Sequence, residues 1–275
     1  MSHVACMRDV ALHYTLLGSG EPLVLVHGGG TDLTYWEPHL DAFADRYRVV
    51  AYSRRYAEPN RNAPIAPGYN PRTDADDLAD LIAALELGSA HVVTHSIGGV
   101  AALFCAVAHP ELFRTLTLAE PPLLPWAREH PDGKAGWDRF LHAMWLPAGE
   151  AFERGDPQDA MRHVTDYFVG DGTFARLPPR VRDRLMRNAR DWEAFTTSDA
   201  PWPWLDPADV AALPMPVLML SAGRSVPLHH FVDDLLAETI PGVERVRIPG
   251  ATHDMWADEP DACRAATLDF LARRA

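Results

Sequence analysis

Val92-Val93-Thr94-His95-Ser96-Ile97-Gly98-Gly99 is the stretch on which the reading of this chain turns. An apolar run of strand type, His91 to Val93, leads to Ser96, and a helix-forming run from Val100 through Ala108 follows at once. A chain that passes from strand to helix without a loop must turn tightly. The corner residue is held in strained backbone geometry, with its side chain thrown clear of both elements. Residues two positions to either side must be small or they collide across the corner. Thr94 and Gly98 stand there, and Gly99 lets the helix pack close. The pattern is the nucleophile elbow G-x-S-x-G with Thr94 in place of the first glycine, which makes Ser96 the candidate nucleophile. A serine between small residues also serves as an ordinary helix N-cap, so the rest of the chain has to decide.

With 275 residues, 47% of them apolar, the chain can hold one large domain or two small ones around a substantial core. The formal net charge is −13, and no Lys/Arg cluster is interleaved with aromatics, so nucleic acid and anionic membrane are not expected partners. The acidity reads as solubility. Cys6, Cys105 and Cys263 are odd in number, widely spaced and form no C-x-x-C pair, which argues against a disulfide framework and fits a reducing cytosol. The N-terminus lacks a basic region followed by an apolar one, and no apolar run approaches bilayer length. The expectation is a soluble, cytoplasmic protein acting on a small molecule, with a homo-oligomer left open and no metal or organic cofactor demanded.

Two alternating segments around Arg8-Asp9 between Val4 and Leu17 predict an antiparallel hairpin, closed by Gly18-Ser19-Gly20. Pro22 to Val26 is a continuous apolar run, as in a strand buried on both faces, and it ends in His27-Gly28-Gly29-Gly30. A helix over Pro38 to Arg46, a strand over Arg48 to Tyr52 and a polar loop Ser53-Arg54-Arg55-Tyr56 with a proline-rich turn come next. Thr73 to Leu87 carries Leu78, Leu81, Ile82 and Leu85 at helical spacing, with Asp74, Asp76 and Asp77 in its first turn. After the Ser96 strand and helix, a strand over Thr115 to Ala119 completes an alternation that predicts a parallel sheet covered on both faces. From Pro121 to Pro214 the pattern changes: six of the eight tryptophans (Trp126, Trp137, Trp145, Trp192, Trp202, Trp204) fall there amid short helices and prolines. This predicts a helical cap over residues 123–213, inserted between the sixth and seventh strands of a core made of 1–122 and 214–275. The core resumes with a strand over Val217 to Ser221, a helix near Leu228 to Glu238, a strand over Val243 to Ile248 and a helix over Pro260 to Arg273.

A serine hydroxyl is a weak nucleophile at neutral pH, so it needs a base in hydrogen-bond reach and a third group that fixes the base's tautomer. In parallel sheets such groups sit at the carboxyl ends of strands. His253 follows the last strand in the loop Pro249-Gly250-Ala251-Thr252-His253-Asp254-Met255 and is the candidate base. His91 and His109 read as structural, and His229-His230, at a helix start, lacks the spacing of a metal site. After the strand Val217 to Ser221, Ser225 stands where an acid is expected. The strand Thr115 to Ala119 instead ends in Glu120-Pro121-Pro122, beside the nucleophile strand, and Glu120 becomes the candidate acid ahead of Asp233 and Asp254. The backbone N–H groups of Ile97 and Gly29 are the candidate oxyanion donors. Trp36, Tyr56, Trp126 and Trp256 are pocket candidates by position.

The ordered set His27-Gly28-Gly29-Gly30, Thr94-His95-Ser96-Ile97-Gly98-Gly99 and Gly250-Ala251-Thr252-His253 resembles the α/β-hydrolase superfamily over nearly the whole chain. The displaced acid is similar to that of zearalenone-type lactonases, in which a glutamate after the sixth strand completes the triad. The resemblance implies an α/β-hydrolase fold and a cofactor-free serine hydrolase that cleaves a carboxylic ester or lactone through an acyl-enzyme. Its rivals are a C–C bond hydrolase, a lyase or a cofactor-free oxygenase on the same fold, and a ligand sensor that keeps the triad.

Overall fold

The computed structural model describes residues 2–63 and 65–274. Met1, Pro64 and Ala275 lie outside the described residues, so the expected outer limits of the core and one proline of the expected turn go untested there. Eight strands form one sheet in the order β1-β2-β4-β3-β5-β6-β7-β8. β1 (Ser2–Met7) and β2 (Val10–Leu17) make the expected hairpin, and β2 pairs antiparallel with β4 (Tyr47–Tyr52). From β4 onward every pairing is parallel, through β3 (Glu21–Val26), β5 (Ala90–Thr94), β6 (Phe113–Ala119), β7 (Val217–Ala222) and β8 (Glu244–Ile248).

Continuous apolar runs form the central strands because both sheet faces are covered. Successive side chains alternate between two cores. Leu23, Leu25 and Val93 join Phe43 of α1 (Glu37–Ala44) and Phe270 of the C-terminal helix on one face. Val24, Val26 and Val92 join Leu78 of α2 (Pro71–Ala84) and Leu103 of α3 (Ile97–Ala108) on the other. The Asn70 side chain accepts from the Arg72 N–H and Pro71 takes the first turn, so α2 starts before Thr73. It stops short of Leu87, with Glu86 at φ 50°.

Eight helices lie between β6 and β7: α4 (Leu124–Glu129), α5 (Lys134–Phe140), α6 (Leu146–Glu153), α7 (Pro157–Val169), α8 (Thr173–Arg176), α9 (Pro179–Arg187), α10 (Ala189–Thr196) and α11 (Pro207–Ala211). A π-helical turn, Leu141–Trp145, joins α5 to α6. α12 (Pro227–Thr239), α13 (Met255–Asp258) and α14 (Pro260–Ala272) complete the chain. Helix α10 is tied to the sheet by a buried ion cluster. Arg54, fully enclosed after β4, donates to Asp74 of α2 at 2.7 Å and to Asp191 of α10 at 2.6 Å. No helix among the described residues is long and apolar enough to cross a membrane.

Candidate active site

The turn from β5 into α3 places Ser96 at φ 53°, ψ −128°, a region that non-glycine residues rarely occupy. Strain of this kind costs about 1–3 kcal/mol and persists only where the surroundings enforce it. They do so by close packing. A Cβ on Gly98 would come within 2.5 Å of the His27 carbonyl oxygen, and one on Gly99 within 2.9 Å of Pro121. The threonine in the elbow is explained by a bond, since the Thr94 hydroxyl donates to the Thr117 carbonyl of β6 at 2.9 Å. The same hydroxyl stays beside the corner, where a Cβ on Gly99 would meet it at 3.0 Å.

Three strand ends converge beside Ser96. The Ser96 hydroxyl lies 3.0 Å from His253 Nε2, and His253 Nδ1 lies 2.7 Å from Glu120 Oε2. The carboxylate selects the tautomer with the proton on Nδ1, which leaves Nε2 to accept from Ser96. Glu120 is itself fixed. The Ala222 N–H donates to Oε1 at 2.9 Å, and the Ser225 hydroxyl donates to Oε2 at 2.7 Å. Ser225, at the position expected for an acid, thus supports the Glu120 carboxylate. Burial opposes the Glu120 charge, but the His229 and His253 imidazoles beside it hold its carboxyl well below the usual range. Burial and His229 push the His253 imidazole below its ordinary value, against the pull of Glu120, so it rests neutral and ready to accept a proton.

Asp233 and Asp254 stand apart from this relay. Asp254 accepts from the Tyr35 hydroxyl at 2.7 Å. Asp233 is buried, and burial together with the Glu120 charge pushes its pKa up to about 8, against the pull of the Ser221 hydroxyl. The folded state therefore holds a proton on Asp233 that the unfolded chain releases near the ordinary aspartate value of 3.8. Its contribution is intact at acid pH and lost as pH rises through the folded value. Asp233→Asn, which cannot ionise, is expected to gain stability over the parent between about pH 4 and pH 8, by at most about 1.4 kcal/mol per pH unit. Urea unfolding across that range measures it, and parallel stability curves would rule the protonated carboxyl out.

A cavity partly open to solvent lies above Ser96. Gly29 and Ile97 line its floor, and its walls are aromatic: Phe140 just before the π turn and Trp145 at its end, Phe168 of α7, Trp192 and Phe195 of α10, and Trp202. Gly28 packs so closely on the elbow that a Cβ there would meet Ser96 Cβ at 3.1 Å. Its carbonyl accepts from Arg54, from the Thr31 hydroxyl and from His27 Nδ1, which fixes the loop carrying Gly29.

The four aromatic residues singled out for the pocket lie elsewhere, and that expectation is corrected. Trp36 and Trp256 form an edge-to-face pair, centroids 5.0 Å apart, inside the core on the α1 face. Tyr56 packs edge-on against Tyr69, and its hydroxyl accepts from the Ala66 N–H. The Trp126 indole N–H donates to the Leu205 carbonyl at 2.8 Å. Each is consumed by packing or by a backbone bond before it can reach the cavity.

A sequence profile of the alpha/beta hydrolase family matches residues 23–266. The chain belongs to the alpha/beta hydrolase family. It is an enzyme of that class. The RutD protein of Caulobacter vibrioides, named as a carbamate hydrolase, is 33% identical over 274 residues, 94% of this chain and 95% of its own. The like-named protein of Stutzerimonas stutzeri is 31% identical over 96% of this chain and 97% of its own. Among solved structures, the enol-lactonase of Burkholderia xenovorans superposes with a TM-score of 0.75 at 21% identity, covering 98% of this chain and all of that one. A thermophilic esterase from Thermogutta terrifontis gives 0.76 at 22%, over 100% and 99%. At such identities the likeness speaks for the fold.

Two side chains near the hydrolase's Ser96 are invisible to motif reasoning. His95, the free position of the elbow, is buried, and its Nε2–H donates to the His253 carbonyl at 2.8 Å, anchoring the loop that carries His253. His229 lines the cavity with Nδ1 3.0 Å from His253 Nδ1. Nothing in the dipeptide His229-His230 points there. The position follows only from α12 docking across the ends of β6 and β7.

Proposed function

We propose that this hydrolase cleaves a carboxylic ester or lactone of a small apolar or aromatic compound through a Ser96 acyl-enzyme. The relay Ser96–His253–Glu120 at the floor of an aromatic cavity carries the reading. Ser96 Oγ attacks the acyl carbon as its proton passes to His253 Nε2. Glu120 stabilises the imidazolium, and the Ile97 and Gly29 N–H groups receive the oxyanion. His253 then gives its proton to the leaving alcohol. Water attacks the acyl group in turn, again losing a proton to His253, and the acid departs with Ser96 restored. The acid's place after the sixth strand is that of zearalenone-type lactonases, and the ring-lined walls favour a flat or apolar acyl or alcohol part. The inserted helices act as the cap of the site. The cysteines are unbridged and two are buried, in keeping with a cytoplasmic enzyme.

A carbamate is the second reading. Its carbonyl meets the same nucleophile, and the relatives named for carbamate hydrolysis match nearly end to end. A fluorophosphonate probe is expected to label the folded enzyme at Ser96 and to leave Ser96→Ala unlabelled. Aryl acetates and the matching aryl carbamates, compared by kcat/KM, then rank the two substrate classes. Folded protein that stays unlabelled defeats the activated serine.

A further inference from the structure

Three potential ligand atoms converge behind the catalytic imidazole, one more than the relay uses. His253 Nδ1 is 2.7 Å from Glu120 Oε2 and 3.0 Å from His229 Nδ1, and His229 Nδ1 is 3.5 Å from the same carboxylate oxygen. His253 Nδ1 carries one proton, and Glu120 already takes it. His229 is not required for that bond, yet its nitrogen is held in the same small triangle. The circle through the three atoms has a radius of about 1.8 Å, so an ion about 2.0–2.1 Å from each fits just off their plane. Two imidazoles and one carboxylate suit zinc or cobalt rather than magnesium or calcium, which prefer all-oxygen shells. All three residues are enclosed by protein, and His229 opens the site to the cavity, from which a water can fill the fourth position.

We propose that Glu120, His229 and His253 form an inhibitory site for a zinc-type divalent cation, whose occupancy switches the serine off. The switch follows from the tautomer. An imidazole bound to metal through Nδ1 gives up the lone pair there and keeps its proton on Nε2. Neutral His253 thus moves its proton from Nδ1 to Nε2, His229 likewise carries its proton on Nε2, and the ion replaces the proton shared with Glu120. No proton leaves the protein. Ser96 then faces an N–H donor in place of an acceptor, and its hydroxyl cannot be deprotonated. The site lies across three elements (the end of β6, α12 and the loop after β8), which is why the neighbouring pair His229-His230 gives no sign of it.

The switching half rests on the serine mechanism proposed above, whereas binding itself does not, and the two are read separately. Co²⁺ is titrated into Ser96→Ala protein and followed by visible absorption, with Zn²⁺ as competitor. Tetrahedral cobalt bands displaced by zinc are expected. Zn²⁺ is then titrated against fluorophosphonate labelling of the unmodified enzyme. Labelling is expected to slow at least tenfold and to recover with a chelator. His229→Phe and, should that variant fold poorly, His229→Asn are expected to weaken ion binding about 100-fold or more, each read against its own ion-free labelling rate. No cobalt band in the Ser96→Ala protein, or unchanged zinc affinity in a folded His229 variant, overturns the site. Labelling that continues at saturating zinc overturns the switch. Cobalt bands with no labelling at all in metal-free enzyme would leave the site standing and reject the serine reading instead.

Discussion

Glu120→Gln is expected to lower kcat by about 10⁴-fold while KM changes little, the size of loss known when a triad carboxylate becomes an amide. The carboxylate has one arm fastened by the Ala222 N–H and the other shared between the Ser225 hydroxyl and His253 Nδ1. A glutamine of the same shape must turn its amide nitrogen toward one set of donors or the other. If the NH₂ faces His253, the imidazole moves its proton to Nε2 and can no longer accept from Ser96. If the oxygen faces His253, the NH₂ confronts the Ala222 N–H, and the imidazolium formed in the reaction has no counter-charge. Either outcome strikes the chemical step and spares the cavity. Ser225→Ala removes a support of the acid and should give a much smaller loss. Steady-state rates on the aryl ester that the enzyme turns over fastest measure both. A Glu120→Gln enzyme within tenfold of the parent kcat would mean that another group serves as the acid.

Arg54→Met is expected to destabilise the fold by about 3–5 kcal/mol, because it leaves two carboxylates buried without their cation. Asp74 and Asp191 are enclosed, and Arg54 sits between them with no exposed surface. Its guanidinium also donates to the Gly28 and His27 carbonyls, while Asp191 accepts from the Gly30 N–H. The same residue therefore holds α10 against the sheet and shapes the glycine loop that floors the cavity. Urea unfolding gives the stability change. Adding Asp74→Asn and Asp191→Asn to Arg54→Met should recover part of it, since the damage comes from uncompensated charge. A loss below 1 kcal/mol, or no recovery in the triple variant, would show that the cluster contributes little.

The three polar candidates that the structure brings together, Ser96, His253 and Glu120, were legible because each is marked locally in the sequence. Small residues around Ser96 are demanded by one corner, Glu120 directly follows β6, and His253 stands in the loop after β8. Strand ends meet in any parallel sheet of this order, so placement along the chain sufficed. The aromatic residues behaved otherwise. Trp36 and Trp256 sit near the site in sequence terms, but a ring can be spent on the core or offered to the cavity, and only packing decides which. Trp145, Trp192 and Trp202 reach the cavity while Trp126 does not, though all four share one tryptophan-rich segment.

Local pattern, then, determined the parallel sheet, the strained turn at Ser96 and the placement of the candidate base and acid after strands, since each depends on backbone demands felt within a few residues. Tertiary structure alone decided the partners of Arg54, the bond from His95 to the His253 loop, and the meeting of His229 with the His253 imidazole. These contacts join residues from 20 to 158 positions apart. Their energies come from desolvated charges and shared protons, which exist only once the elements have docked, and no spacing along the chain encodes them.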